Sequence, residues 1–107
     1  MEGFWSIDLS ARGRLPVYGV AVFAGDHIFG GDPCFYWTGT YATRGDKIEA
    51  TLDVISHSGS SVANIFGDSV ARYSVQFSAR VPESQAIDTS FIANGPDGLT
   101  ATLTRRG

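Results

Sequence analysis

Between Asp26 and Tyr41 the chain reads Asp-His-Ile-Phe-Gly-Gly-Asp-Pro-Cys-Phe-Tyr-Trp-Thr-Gly-Thr-Tyr, with five aromatics, three glycines and a proline in sixteen residues. No other stretch restricts the fold as strongly. Glycine tolerates positive φ and proline holds φ near −65°, so Gly30-Gly31-Asp32-Pro33 is expected to be a turn between two strands and part of neither. Beyond it the alternation puts Phe35, Trp37, Gly39 and Tyr41 on one face of a strand, with Tyr36, Thr38 and Thr40 on the other. Gly39 removes a side chain where a bend or a close backbone approach is needed. Such corners belong to a small barrel.

The rest of the chain keeps the same rhythm of short strands and turn residues. Phe4 to Leu9 alternates, with Trp5, Ile7 and Leu9 on one face, and ends at Ser10-Ala11-Arg12-Gly13. Val17 to Ala24 is apolar on both faces and rich in β-branched residues, so its outer face is expected to be covered, for example by a second subunit. Gly25 marks a hairpin into a short strand from His27 to Phe29, and Thr43-Arg44-Gly45-Asp46 marks the next. From Lys47 to Ile55, Ile48, Ala50, Leu52 and Val54 face one way and Glu49, Thr51 and Asp53 the other. Ser56 to Ser69 breaks the rhythm as the longest connection, a longer loop or a short helical turn over Val62 to Phe66, placed to plug or cap one end. Arg72 to Arg80 alternates again, with Tyr73, Val75, Phe77 and Ala79 inward. Strands over Ala86 to Ala93 and Leu99 to Thr104 follow, with Asn94-Gly95-Pro96-Asp97-Gly98 turning between them.

This pattern predicts an all-β fold: one domain over residues 1–107, built as a small antiparallel up-and-down barrel of about eight short strands. Closure removes the exposed edges that an open sheet would leave. A chain of 107 residues has room for a single core, burying roughly 65% of the surface its unfolded form exposes. An eight-stranded barrel is either filled by its own side chains or holds one small ligand.

Charge and cysteine content narrow the function classes. A formal charge of −3, with Lys47 the sole lysine, argues against nucleic acid as a partner, because backbone-tracking grooves are basic. Cys34 is the single cysteine, so no intrachain disulfide forms, which fits a reducing compartment. The start Met1-Glu2-Gly3-Phe4-Trp5 has no basic segment followed by an apolar run, and a cytoplasmic location is expected. The apolar run from Val17 to Gly25 falls far short of the roughly 20 residues of a membrane-spanning helix.

Catalytic and metal chemistry find little support in the spacing. His27 and His57 are not at metal-ligand spacing with Cys34 or with each other, and neither a metal nor another cofactor is expected. Asp53, His57 and Ser58 supply the residue types of a hydrolytic triad, but triads are defined by geometry, and these three sit at a strand end running into a serine-rich loop. Cys34 reads as a small buried hydrophobe, with no neighbouring base to activate it. Gly30-Gly31-Asp32 has too few glycines for a phosphate loop and no helix behind it. Arg44-Gly45-Asp46 reads as a hairpin tip. The aromatics Trp5, Tyr18, Phe23, Phe35, Tyr36, Trp37 and Tyr41 either fill the core or line a ligand cavity. Small inward residues, Gly19, Ala21 and Gly39, either leave room for a ligand or accommodate large rings opposite. For a cavity, the candidate lining is Trp5, Phe23, Trp37, Tyr41 and Tyr73.

Gly-Phe-Trp-Ser-Ile at residues 3–7, Tyr18-Gly19-Val20-Ala21-Val22, Ile28-Phe29-Gly30-Gly31-Asp32 and Tyr36-Trp37-Thr38-Gly39-Thr40-Tyr41 together resemble the GrlR-type negative regulators of type III secretion. The resemblance covers about the first 55 residues; the second half shares the strand rhythm. It implies a lipocalin-like barrel, commonly dimeric, that is not an enzyme and acts by holding a partner protein such as a transcriptional regulator. In the best-known member of that family the loop after the aromatic strand carries a run of four acidic residues. Its counterpart here is Thr43, Arg44, Gly45, Asp46 and Lys47, with one acid between two basic residues, and the resemblance makes this loop the candidate partner contact.

Overall fold

The computed structural model describes residues 1–107. Its strands are β1 (Gly3–Ser10), β2 (Val17–Ala24), β3 (His27–Gly31), β4 (Phe35–Arg44), β5 (Lys47–Ser56), β6 (Val62–Ala63), β7 (Ser69–Val70), β8 (Arg72–Arg80), β9 (Ser90–Asn94) and β10 (Thr100–Arg105). Eight of them close a barrel in the order β1-β10-β9-β8-β5-β4-β3-β2, and β6 and β7 form a separate small hairpin. Every barrel pair is antiparallel. The chain therefore runs up and down, and its connections divide between two ends.

Inward positions follow the alternation. Trp5, Ile7, Ala21, Phe23, Ile28, Phe35, Trp37, Ile48, Leu52, Val54, Val75, Ala79, Ala93, Ala101 and Leu103 are all buried in one cluster. Burial of such side chains, at about 1.5–3 kcal/mol each for the large ones, is what holds a small closed sheet together. The wall is thinnest between β8 and β9, where Ser78 faces Asn94 and Ala79 faces Ala93. The turn Gly95–Leu99, with a single 3-10 turn at Pro96–Gly98, ends that pairing early.

Four local expectations are corrected. Gly30 and Gly31 belong to β3, opposite Ala21 and Val20 on one side and Trp37 and Tyr36 on the other. A Cβ on Gly30 would collide with the Val20 carbonyl and lie 2.5 Å from Trp37 Nε1, so glycine serves close strand packing here; the turn itself is only Asp32–Cys34. Of the two forms expected for Ser56 to Ser69 the longer loop is the one present, and in place of a helical turn over Val62 to Phe66 it carries the β6–β7 hairpin. Asn64 ties its tip, Oδ1 accepting from the N–H groups of Phe66 (2.9 Å) and Asp68 (3.0 Å), a local bond that competes with helix. The strand expected from Ala86 begins only at Ser90, because Asp88 takes φ +70° and Thr89 Oγ1 donates to the Ala86 carbonyl at 2.6 Å. Cys34 is exposed rather than buried, lying in the turn before inward-facing Phe35.

No helix is long and apolar enough to cross a membrane. The outer face of β2 is apolar and uncovered in the single chain, with Tyr18, Val20 and Val22 exposed.

Candidate functional site

The two ends of the barrel are built differently. At the base lie the β2–β3 and β4–β5 hairpins, the long β8–β9 connection and both termini. Trp5 fills this end: it is 0% exposed, meets Phe23 and Phe91 edge-on at 6.1 and 5.2 Å, and carries the Arg105 guanidinium 5.7 Å from its ring centre. Arg105 is held in turn, Nε donating to the Gly107 carbonyl (2.8 Å) and Nη1 to the Gln85 carbonyl (3.2 Å). Gly3, at φ +141°, admits this arrangement, since a Cβ there would lie 2.6 Å from the Gly107 oxygen and 2.7 Å from Arg105 Nη2. The Phe4 N–H donates to the Gly107 carbonyl (3.1 Å) and the Arg106 N–H to the Phe4 carbonyl (2.8 Å), so the termini lock together over the tryptophan.

The other end carries the loops Ala11–Pro16, Asp32–Cys34, His57–Ala71 and Gly95–Leu99. Asp32 Oδ1 accepts from the N–H groups of Cys34 (2.8 Å) and Phe35 (2.7 Å), shaping the tight turn. The His57 ring meets the Asp32 carbonyl through Nε2 at 3.0 Å, and the His57 N–H donates to the Cys34 carbonyl at 3.0 Å. The β6–β7 hairpin leans over the opening, with Ile65 and Phe66 packed on the core and Arg14 Nη2 donating to the Phe66 carbonyl at 3.0 Å.

Beneath this end lies a cavity of about 460 Å³, within the usual range of about 300–1,000 Å³ for small-molecule sites. Of its 30 lining residues 25 are hydrophobic, so an apolar molecule loses no hydrogen bonds to the deep walls on binding. Ile7, Phe23, Leu52, Val75 and Leu103 form the body, and Asp32, Pro33, Cys34, Asn64 and Ile65 the rim. Trp37 sets how much room is left. Its ring lies against β2 and β3 where glycines stand: a Cβ on Gly19 would be 2.8 Å from its Cη2, and one on Gly30 2.5 Å from its Nε1. The indole thus occupies the space of the missing side chains along the wall. Gly39 is likewise filled, by Leu52 and the Thr51 backbone. The inward glycines accommodate neighbouring groups, and the lumen stays open.

The candidate cavity residues divide. Phe23, Trp37 and Tyr73 line the cavity. Trp5 does not, because it plugs the base below it, and Tyr41 packs on Phe23 from that side at 5.2 Å with its hydroxyl donating to the Gly25 carbonyl at 2.9 Å. Burial and the charges of Glu2 and Asp26 raise the Tyr41 phenol above its ordinary value. Tyr73 is pushed up to about 12, first by burial and then by the nearby Asp32 charge. Sequence reasoning missed Asp32 and the hairpin rim; the Asp-Pro pair signalled a turn, but only the barrel's register brings that turn over a cavity.

Thr43, Arg44, Gly45, Asp46 and Lys47 form the exposed tip of the β4–β5 hairpin at the base. Arg44 pairs with Lys47, Gly45 takes φ +61°, and Asp46 meets Arg80 at 3.5 Å. Asp53, His57 and Ser58 do not join: Asp53 accepts from Arg72 (3.0 Å) and Ser74 (2.9 Å) on the outer wall, His57 faces Asp32, and Ser58 Oγ accepts from the Ser60 N–H at 3.2 Å. No group of three or more His, Cys, Asp or Glu side chains is placed to hold a metal ion. No protein-family model matches this chain, and no curated protein matches it either.

Proposed function

We propose that this chain binds a small apolar molecule inside the barrel, as a carrier or sensor rather than as a catalyst. The observation that carries this reading is the 460 Å³ cavity, closed at one end by Trp5 and walled almost wholly by hydrocarbon. Burial of apolar ligand surface drives such binding at about 25 cal/mol per Å² before the costs of association. The test is titration with the neutral fluorophore N-phenylnaphthylamine, for wild type and for Ala50→Leu. Ala50 lines the cavity and is only partly buried, so a larger side chain has space to enter it. The expected result is saturable binding to wild type and at least about tenfold weaker binding to the variant, a difference of about 1.4 kcal/mol, with unchanged folding. Equal binding by both proteins would sink the reading.

A second reading, contact with another protein, is favoured by the outer wall of β1 to β4. There Phe4, Val22 and Phe29 stand in one cross-strand row and are exposed together with Tyr18, Val20 and Tyr36. Contiguous apolar patches of this kind mark association sites, and a homodimer through this wall is the simplest form. A monomeric mass by sedimentation at micromolar concentration would remove it. The exposed tip Thr43–Lys47 is the contact that the GrlR-like resemblance offers to a partner regulator.

A further inference from the structure

Among the residues that line the cavity, Asp32 is the one that carries a charge at pH 7; no lysine, arginine or histidine lines it. Its position is fixed. One carboxylate oxygen, Oδ1, is consumed by the N–H groups of Cys34 and Phe35 at 2.8 and 2.7 Å, which anchors the side chain at the rim and leaves Oδ2 without those bonds. Of the two arginines in the Ala11–Pro16 loop, Arg14 is turned to the Phe66 carbonyl at 3.0 Å, and neither Arg12 nor Arg14 is part of the lining. His57 touches Asp32 through the main-chain carbonyl, so its ring does not cap the carboxylate along that contact. Tyr73 also lines the cavity, close enough to Asp32 for the carboxylate charge to act on its phenol.

A molecule whose apolar body fills the hydrocarbon interior must keep its polar end at the rim, since a polar group buried deeper loses its water without gaining a partner. At the rim that end meets a fixed acceptor of negative charge. An ammonium or hydroxyl donates to it; a carboxylate is repelled and finds no cation among the lining residues to pair with.

Resting on the cavity reading above, we propose that the barrel selects amphiphiles with a cationic or hydrogen-bond-donating head, alkyl amines and alcohols, and rejects fatty carboxylates, with Asp32 as the specificity-determining residue. The experiment is displacement of bound N-phenylnaphthylamine by dodecylamine, dodecanol and dodecanoate, below their aggregation thresholds. Wild type is expected to bind dodecylamine at least about tenfold more tightly than dodecanoate, with dodecanol between them. Asp32→Asn keeps an oxygen for the two N–H groups of the turn, and is expected to bring the three within about threefold. Asp68→Asn, which removes an exposed acid outside the lining, is expected to leave the order unchanged and separates Asp32 from the general negative field. Dodecanoate binding as tightly as dodecylamine, an order unaltered in Asp32→Asn, or an order abolished equally by Asp68→Asn would each overturn the selection while leaving the cavity reading in place. Failure of N-phenylnaphthylamine to bind wild type at all would overturn both.

Discussion

One barrel has two ends with opposite constructions. The base is tied by backbone and guanidinium bonds around a fully buried tryptophan, with Gly3 making room for the C-terminus. The mouth is shaped by local turns that satisfy themselves, the Asp32 turn, the Asn64 tip and the Ser56 hydroxyl donating to the Ser60 carbonyl at 2.7 Å, and its long-range ties, His57 to the Asp32 and Cys34 carbonyls and Arg14 to the Phe66 carbonyl, run from loop to loop around the rim. Local turns fix loops without filling the space beneath them. Long-range ties at the base pull in a ring and fill it. The cavity is kept open by where the large side chains lie: Trp5 fills the base, and Trp37 lies along the wall, over glycines.

The base is the place to break this contrast. Replacing Trp5 by alanine removes the ring packed on Phe23, Phe91 and Arg105 and joins its space to the cavity above. Deletion of a large buried aromatic costs about 3–5 kcal/mol, a major share of the about 5–15 kcal/mol by which domains of this size are stable. The urea midpoint is expected to fall accordingly, or the variant to be largely unfolded. A loss below about 1 kcal/mol would mean that the termini, and not the ring, hold the base.

A milder change sharpens it in the middle of the wall. Gly30→Ala places a methyl against the Val20 carbonyl and the Trp37 indole. Overpacking of this kind costs about 1–3 kcal/mol, occasionally more: the clash with the Val20 carbonyl is with backbone and is relieved only if β2 and β3 part, while Trp37 must also shift from β3 toward the lumen. Stability is expected to drop by about 2 kcal/mol, with weaker N-phenylnaphthylamine binding. A variant that loses stability and binds as before would show that the ring does not control the open volume.

These positions also mark what could be read from the chain. Alternation placed the inward faces of β1, β4, β5 and β8, because a strand in a closed wall has one dry side and one wet side. Eight strands and a barrel follow from the turn chemistry between them. Where side-chain bonds compete with the ladder, alternation misled: Thr89 and Asp88 delay β9, and Asn64 draws a hairpin out of a segment with helical looks. Gly30 and Gly31 looked like turn residues because their strand role depends on Trp37, a contact across strands that no local pattern carries. The same holds for the site. Phe23, Trp37 and Tyr73 could be named from their inward parity, whereas Trp5 and Tyr41 share that parity and lie below the cavity, since parity fixes the face of a strand and not the height along the barrel.

The smallest expected effect separates the ends by pH. Tyr73 near the mouth has its phenol pushed up to about 12 by burial and by Asp32, and at the base burial and the charges of Glu2 and Asp26 raise Tyr41. Above the ordinary tyrosine value of 10.0 the unfolded chain sheds the Tyr73 proton while the folded chain retains it. The unfolded state then binds fewer protons, and stability falls with rising pH. The contribution is fully present below pH 10 and is lost between about pH 10 and 12. With solvent screening of this partly exposed group discounted, it amounts to about 1 kcal/mol. Tyr73→Phe is expected to flatten the decline of the urea midpoint over that window relative to wild type, while leaving the slope below pH 9 unchanged. An identical alkaline decline in both proteins would place the titration elsewhere, with Tyr41 at the base the next group to replace, and the mouth would then lose its distinction from the base in this respect.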